Sequence, residues 1–339
     1  MTDLKPLETL CEWTADALTD ESIWTEVLTD VELEEADSAL RHAMATSKDI
    51  LDIGKNDFPL ETLGRRLSHI EDELINGRGF VRIRGLDRDR YDQSEMEMLY
   101  WGIGMHLGTP WAQNKHGHML GDVTDQGRAA DDPEARGNEL GGIALPFHTD
   151  GSDLVGLLCL QDGIQGGLSK VANSVSIHNQ LVRESPELAA EFYKPQPFDF
   201  RGEQPRGGLG WYTVPIFTQC AERLFVRCIP PYTLASQRHT DAPRLTDLAK
   251  QALSRVVEMA DDPRYHLSMA LLPGDMQFIN NYHVMHGRSA YQDDRQNRSV
   301  RHLKRLWLET RALEQRPEYF QNSHSDWTRN RSASRMAVN

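Results

Sequence analysis

Through residues 1 to about 76 the apolar positions recur at helical spacing. In DVELEEADSALRHAMATSKDI and again in PLETLGRRLSHIEDELING they fall three and four apart, and the second run closes on Gly77, a residue type that ends helices readily. At Gly79 the period changes. GFVRIRGL, from Gly79 to Leu86, alternates apolar with basic residues as a half-buried strand does, and short strand-like runs dominate from there. LVGLLCLQ is apolar throughout and suits the inside of a sheet, SVSIHNQLV and PELAAEFY suggest a helix pair, and GLGWYTVPIFTQ with RLFVRCIP suggests a hairpin. DAPRLTDLAKQALSRVVEMA is the clearest amphipathic helix, with Leu245, Leu248, Ala252, Leu253, Val256 and Val257 on one stripe, and Asp241 is its expected cap with Pro243 in the first turn. LSMALLP, DMQFINN and VRHLKRLWLE read as the last strands.

Short strands with turn punctuation, a few inserted helices and a helical start predict a mainly β chain: a double-stranded β-helix, or jelly roll, with flanking helices. The expected organisation is one domain, with a helical section over 1–76 packed on a core over 77–312 and a tail over 313–339. Between Gly121 and Gly142 lies a stretch rich in Gly, Asp and Arg with no period, long enough to suggest a functional loop or a lid.

Charge narrows the partners. With 51 acidic against 37 basic residues the net charge is -14, which repels nucleic-acid phosphates and anionic membranes and favours small neutral, zwitterionic or cationic partners. The four cysteines show no C-x-x-C pairing, and Cys159 and Cys228 sit in apolar runs, as reduced, buried thiols do. No leader pattern opens the chain and no run approaches the ~18 apolar residues of a membrane span, so a soluble, cytoplasmic protein is expected.

Four H-x-[DE] triplets occur, at His69-Ile-Glu71, His148-Thr-Asp150, His239-Thr-Asp241 and His324-Ser-Asp326. Helical context separates His69 from Glu71, because i and i+2 point to different faces; the last triplet has no histidine after it to complete a set; and Asp241 is expected to cap a helix. His148 and Asp150 remain, at the end of one strand and just before a buried one, although an ordinary strand-end turn has the same composition. In NNYHVMHGR, His283 and His286 lie three apart and face opposite sides of a strand, so only one can join them, and His286 is preferred over His283. Two imidazoles and a carboxylate can hold a divalent iron on one face and leave other coordination positions open. In VRHLKRLWLE, Arg301, Leu303, Arg305 and Trp307 share a face, and arginines among Leu and Trp call for an anionic partner, unless the strand is an edge in water.

Taken together, HTD, QGGLSKVANSVSIHNQL, PGDMQFINNYHVMHGRSAY and RHLKRLWLE resemble the taurine dioxygenase/TfdA-type branch of the iron(II)- and 2-oxoglutarate-dependent oxygenases, the clavaminate synthase-like fold, from about Gly79 to Glu309. The resemblance implies iron(II) bound by His148, Asp150 and His286, and O2 and 2-oxoglutarate as co-substrates. It implies Arg305 and the hydroxyl of Ser169 at the far carboxylate of 2-oxoglutarate, Arg301 near the carboxylate beside the keto group, and oxidation of a C–H bond of a small molecule with release of succinate and CO2. Halogenating relatives replace the aspartate with a small residue; Asp150 is present, which points away from halogenation. Gln113, Asn114 and His116 in WAQNKHGHMLGDV, together with Arg201 and Tyr212, are the candidate substrate contacts, and a dimer or tetramer is the family habit. Two other readings stay open: a non-catalytic ligand-binding protein on the same fold, and a zinc-dependent hydrolase using the same three ligands.

Overall fold

The computed structural model describes residues 4–317 except 130, 133, 205, 297 and 298. Most of the tail over 313–339, with the His324 triplet, lies outside the described residues.

Two antiparallel sheets carry the core. The larger consists of β1 (Thr25–Val27), β2 (Phe80–Arg84), β14 (Met276–Asn280), β6 (Leu154–Gln161), β17 (His302–Glu309) and β3 (Thr109–Trp111) in that order, with β4 (Leu120–Thr124) also on β17. Only the β1–β2 pair is parallel within it. The smaller sheet runs β13 (His266–Met269), β8 (Ser169–Asn173), β15 (Val284–Arg288), β5 (Leu145–His148). Strand alternation sorts the side chains. On β6 and β17, Leu154, Leu158, Leu306 and Leu308 face outward to helices, whereas Val155, Cys159, Leu303 and Trp307 face inward to meet Val171, Met269 and Val284 of the smaller sheet. This is the jelly-roll core that the strand pattern predicted.

Helices close both outer faces. Against the larger sheet lie α1 (Asp30–Ala45), α2 (Thr62–Asn76) and α3 (Gln93–Leu107), through Ala39, Leu67, Ile70, Leu99 and Trp101. Against the smaller sheet lie α4 (Ser174–Glu184), α5 (Pro186–Phe192) and α7 (Asp247–Asp261), through Ile177, Leu181, Phe192, Leu253 and Val256; the one-turn helix α6 (Pro230–Ala235) sits nearer the site.

Several local expectations are corrected. The amphipathic helix starts not after Asp241 but at Asp247, because the Thr246 hydroxyl accepts the Ala249 N–H at 3.0 Å while Gln237 and Arg244 tie the preceding segment into a loop. The hairpin is β11 (Phe217–Cys220) with β12 (Arg223–Val226), turning through Ala221 and Glu222, both at positive φ. The end of its expected first half, from Phe217, is thus borne out, whereas the earlier part forms β10 (Trp211–Pro215), which pairs with β9 (Pro195–Asp199). The helix α3 falls where strands were expected, and β1 is a strand inside the helical section. The long loop is shorter than expected, since its first residues belong to β4. Beyond a 3-10 turn at Gly137–Glu139 its other described residues are irregular, and β7 (Gln165–Gly166) with β16 (Tyr291–Gln292) forms a small separate pair.

Candidate metal centre and co-substrate cavity

His148 ends β5 and His286 lies in the middle of β15, and the two strands set them directly opposite one another. Their rings are 4.4 Å apart. Asp150 follows two residues after His148, its Oδ2 3.7 Å from His286 Nε2, and one ligand atom from each of the three residues lies within 4.8 Å of the others. His283 is on the other face, buried beside Asn280, and takes no part.

The turn carrying Asp150 is fixed by its backbone. Asn281 accepts the Asp150 N–H at 2.6 Å and donates back to the carbonyls of Asp150 and Ser152, while Arg227 Nη1 donates to the Asp150 carbonyl at 2.5 Å. Its carboxylate accepts Trp307 Nε1–H at 3.0 Å and Arg305 Nη1–H at 3.1 Å. Burial alone would favour the neutral acid, but Arg305, the two imidazoles and the Trp307 N–H outweigh it and hold the carboxyl well below the usual carboxylate range. Burial, with His148 and Arg305 nearby, drives His286 down to about 3, so its imidazole is neutral with a free lone pair. His148 Nδ1 lies 2.8 Å from the Pro146 carbonyl; donating there leaves the Nε2 lone pair available.

All three residues open into a cavity of 370 Å³ between the sheets. At one end are Ser169, Arg288 and Arg301. Arg288 and Arg301 are each 5% exposed and flank the Tyr291 ring, yet neither has a carboxylate within ion-pair distance among the described residues, and Arg301 Nη1 and Arg288 Nε have no hydrogen-bond partner. Burial and Arg301 together bring the Arg288 guanidinium down to about 10. Two enclosed cations with idle donors make a site for an anion. The Ser169 hydroxyl on the same wall is 2.8 Å from Gln277 Oε1.

Arg305 is differently employed. Besides Asp150, it donates through Nε to Gln113 Oε1 at 2.8 Å and lies over the Trp307 ring. Its anionic partner lies within the chain, since Asp150 reaches it from the turn after β5. Gln113 itself is a clamp, with Nε2 on the carbonyls of Met119 and Arg305. Asn114 holds the main-chain N–H groups of His116 and His118 in a turn; neither Asn114 nor the exposed His116 is on the cavity wall. Arg201 and Tyr212 are on it. The loop after β4 contributes Ala135, Arg136 and Leu140 to the wall, fastened by Arg201 to the Ala135 carbonyl and by Arg288 to the carbonyls of Leu140 and Ile143. No site role was expected of Arg288, Trp307, Asn281 or Arg227. The first two were legible, since Arg288 shares a strand face with His286, as Trp307 does with Arg305.

A family model for "Taurine catabolism dioxygenase TauD, TfdA family" matches residues 44–307. The chain belongs to that family. It is an iron(II)- and 2-oxoglutarate-dependent dioxygenase that oxidises a small molecule, as the motifs implied. This dioxygenase is 32% identical over 310 residues to FR-33289 synthase of Streptomyces rubellomurinus (strain ATCC 31215), covering 90% of both chains. It is 26% identical over 304 residues to the taurine hydroxylase-like protein SAT17 of Stachybotrys chartarum (strain CBS 109288 / IBT 7711), covering 87% of this chain and 77% of that one. In fold it resembles asparagine oxygenase in complex with Fe(II), 2S,3S-3-hydroxyasparagine and succinate (TM-score 0.66, 18% identity, 84% of this chain and 94% of that one). It also resembles the non-heme iron oxygenase OrfP in complex with Fe and alpha-ketoglutaric acid (TM-score 0.61, 20% identity, 84% and 93%). Among the described residues of this dioxygenase no helix is long and apolar enough to cross a membrane.

Proposed function

We propose that His148, Asp150 and His286 hold the iron of this dioxygenase, and that 2-oxoglutarate lies with its far carboxylate between Arg301, Arg288 and Ser169. The observation that carries this is the pair of buried guanidiniums with idle donors opening on the same cavity as the three ligand atoms. It exchanges the two strand arginines relative to the family resemblance: Arg305 is occupied by Asp150 and Gln113, so Arg301 receives the far carboxylate.

The residues fit the metal. A neutral His286, a His148 whose Nδ1 is committed to a carbonyl, and a carboxylate kept ionised by Arg305 make one anionic and two neutral donors on a single face, the set that suits ferrous iron with positions to spare. When bound, the iron with 2-oxoglutarate and O2 supplies the oxidising power that removes hydrogen from a substrate C–H bond. The chain's own part is placement and exclusion of water. Asn281 and Arg227 fix the Asp150 turn, Trp307 and Arg305 orient its carboxylate, Arg288 and Arg301 anchor the co-substrate, and the loop after β4 roofs the cavity as a lid.

Hydroxylation is the outcome we assign, with Asp150 filling the position that a halogenating site leaves open. Four free cysteines and a reduced iron fit a cytoplasmic setting. A zinc hydrolase would leave Arg288 and Arg301 without purpose, and a non-catalytic binder would leave the three converging ligand atoms so. The test is substrate-stimulated succinate release across a panel of small acids and amino acids. Asp150→Ala and His148→Ala are expected to release none, and full turnover in both would end this reading.

A further inference from the structure

Off the cavity wall, at the far end of the turn that carries Asp150, lies a buried ion pair that the reading above leaves unused. Asp153, 1% exposed, accepts Arg316 Nη2–H at 2.7 Å, the Thr310 N–H at 2.9 Å and the Tyr282 hydroxyl at 2.9 Å. Arg316, 6% exposed, also donates to the carbonyls of Leu313 and Thr310 and to Glu309 Oε1 at 2.9 Å. Neither residue lines the cavity, so neither touches metal, co-substrate or substrate. Burial lifts the Asp153 carboxyl up to about 6 even with Arg316 beside it. An interior pair of this kind adds little net stability over apolar side chains of the same volume; what it supplies is one fixed arrangement of the backbone it joins.

That backbone leads to the metal ligand. The Asp153 carbonyl accepts the Asn281 N–H at 2.9 Å, and the Asn281 side chain grips the Asp150 N–H and the carbonyls of Asp150 and Ser152. β17 meets the same turn twice. Trp307 and Arg305 donate to Asp150 Oδ2, and three residues past Trp307 the Thr310 N–H reaches Asp153 Oδ2. The chain then folds back through a 3-10 turn at Arg311–Leu313, anchored by Leu313 in the core, and brings Arg316 to the oxygen that Thr310 already holds. Turn and strand are thus joined at two points, with the ligand at one and the ion pair at the other. A turn freed at Asp153 can pivot on Asn281 and carry the Asp150 carboxylate away from the two imidazoles.

We infer that Arg316 is a positioning residue for the metal centre: acting through Asp153, it clamps the turn over 150–153 so that the Asp150 carboxylate meets His148 and His286. The inference rests on the ligand set proposed above.

The test is the Mn(II) affinity of the full chain, read by calorimetry at neutral pH beside the urea stability of the metal-free protein. Arg316→Met and Asp153→Asn are each expected to weaken Mn(II) binding roughly tenfold, and the double variant no more than either alone, because a single clamp is opened. Arg316→Lys, which keeps the charge but not the planar fork, is expected to regain part of the loss. Arg84→Met is the control. It breaks the pair of Arg84 with the equally enclosed Asp275, 2.6 Å apart at the opposite end of β14 from the turn. Its Mn(II) affinity is expected to stay within about twofold of the original whatever its stability. Undiminished Mn(II) affinity in Arg316→Met, or an equal loss in Arg84→Met, overturns the inference. If Arg316→Met does not fold, Asp153→Asn decides: weakened Mn(II) binding with intact circular dichroism supports the clamp, and unchanged affinity refutes it. Normal Mn(II) affinity in Asp150→Asn would instead remove the ligand set on which the clamp acts.

Discussion

Replacing Arg301 by methionine separates two effects that act in opposite directions. The Arg288 and Arg301 guanidiniums lie 4.6 Å and 5.3 Å from the centre of the Tyr291 ring, so the two charges are no more than about 10 Å apart. At an effective dielectric constant of about 20 that is a repulsion of roughly 1.5–2 kcal/mol, borne by the protein whenever the anion is absent. Against it stand the contact of Arg301 with Tyr291, about 0.5–1 kcal/mol, and one long hydrogen bond to the Gly167 carbonyl at 3.4 Å. Without 2-oxoglutarate, Arg301→Met is thus expected to be as stable as the unaltered chain or up to about 1 kcal/mol more stable, a rise in melting temperature of at most a few degrees. Co-substrate binding moves the other way. Loss of a buried, charge-assisted partner costs about 2–4 kcal/mol, or roughly 30- to 1000-fold in the 2-oxoglutarate Kd. Calorimetric titration of the Mn(II)-loaded protein reads the affinity, and thermal unfolding with and without 2-oxoglutarate reads the stability. Arg305→Gln is the contrast, with a smaller effect on 2-oxoglutarate than Arg301→Met. A Kd within threefold of the original, a melting temperature lowered by several degrees in the absence of ligand, or a larger co-substrate defect in Arg305→Gln refutes the reasoning.

Other perturbations reach the remaining parts. Asp150→Asn and His286→Ala should each weaken Mn(II) binding by ~100-fold or more while preserving the circular dichroism of the chain, and near-normal metal affinity in either would remove that residue from the ligand set. Trp307→Phe deletes one donor to Asp150 and is expected to weaken metal binding about 10- to 100-fold with no change in fold, measured in the same titration. Burial and the nearby Arg223 depress His283 to about 4 from 6.5, so the unfolded chain takes up this proton first; the stability His283 supplies is whole above 6.5 and fades as pH falls toward 4. Unfolding in urea between pH 7 and 4.5 should therefore show a loss of about 2–3 kcal/mol from this residue that His283→Gln lacks, and identical pH slopes would contradict it. Arg201→Ala cuts the fastening of the loop after β4 and is expected to speed proteolytic cleavage between 125 and 142, an effect that 2-oxoglutarate partly reverses through Arg288.

The sequence was most legible where a strand's two-residue repeat and its chemistry coincide. His148 with Asp150, and Arg301 with Leu303, Arg305 and Trp307, announce shared faces, and the period change at Gly79 marks the first core strand. What could not be read came from long-range partners. Nothing in VRHLKRLWLE says that Asp150, more than 150 positions earlier, meets Arg305 and frees Arg301 for another task. Helix α3 was hidden because it is apolar almost all round, wedged between α2 and the larger sheet, so no stripe shows; its Asp92–Glu95 capping box was the available signal. The displaced start of α7 is a contest of two capping residues that loop hydrogen bonds settle. β9, with two prolines in five residues, is a strand only because β10 pairs with it.

The rung that sets His286 opposite His148 has an evolutionary consequence. Its register depends on backbone pairing between β5 and β15, whereas the roof over the cavity is built from the irregular stretch that ends just before Leu145. Insertions and deletions upstream of that residue can reshape which molecules are admitted while the pairing that positions both histidines stays intact. Innovation in specificity and preservation of reactivity are thus assigned to adjoining pieces of chain, joined where Arg288 holds the carbonyls of Leu140 and Ile143.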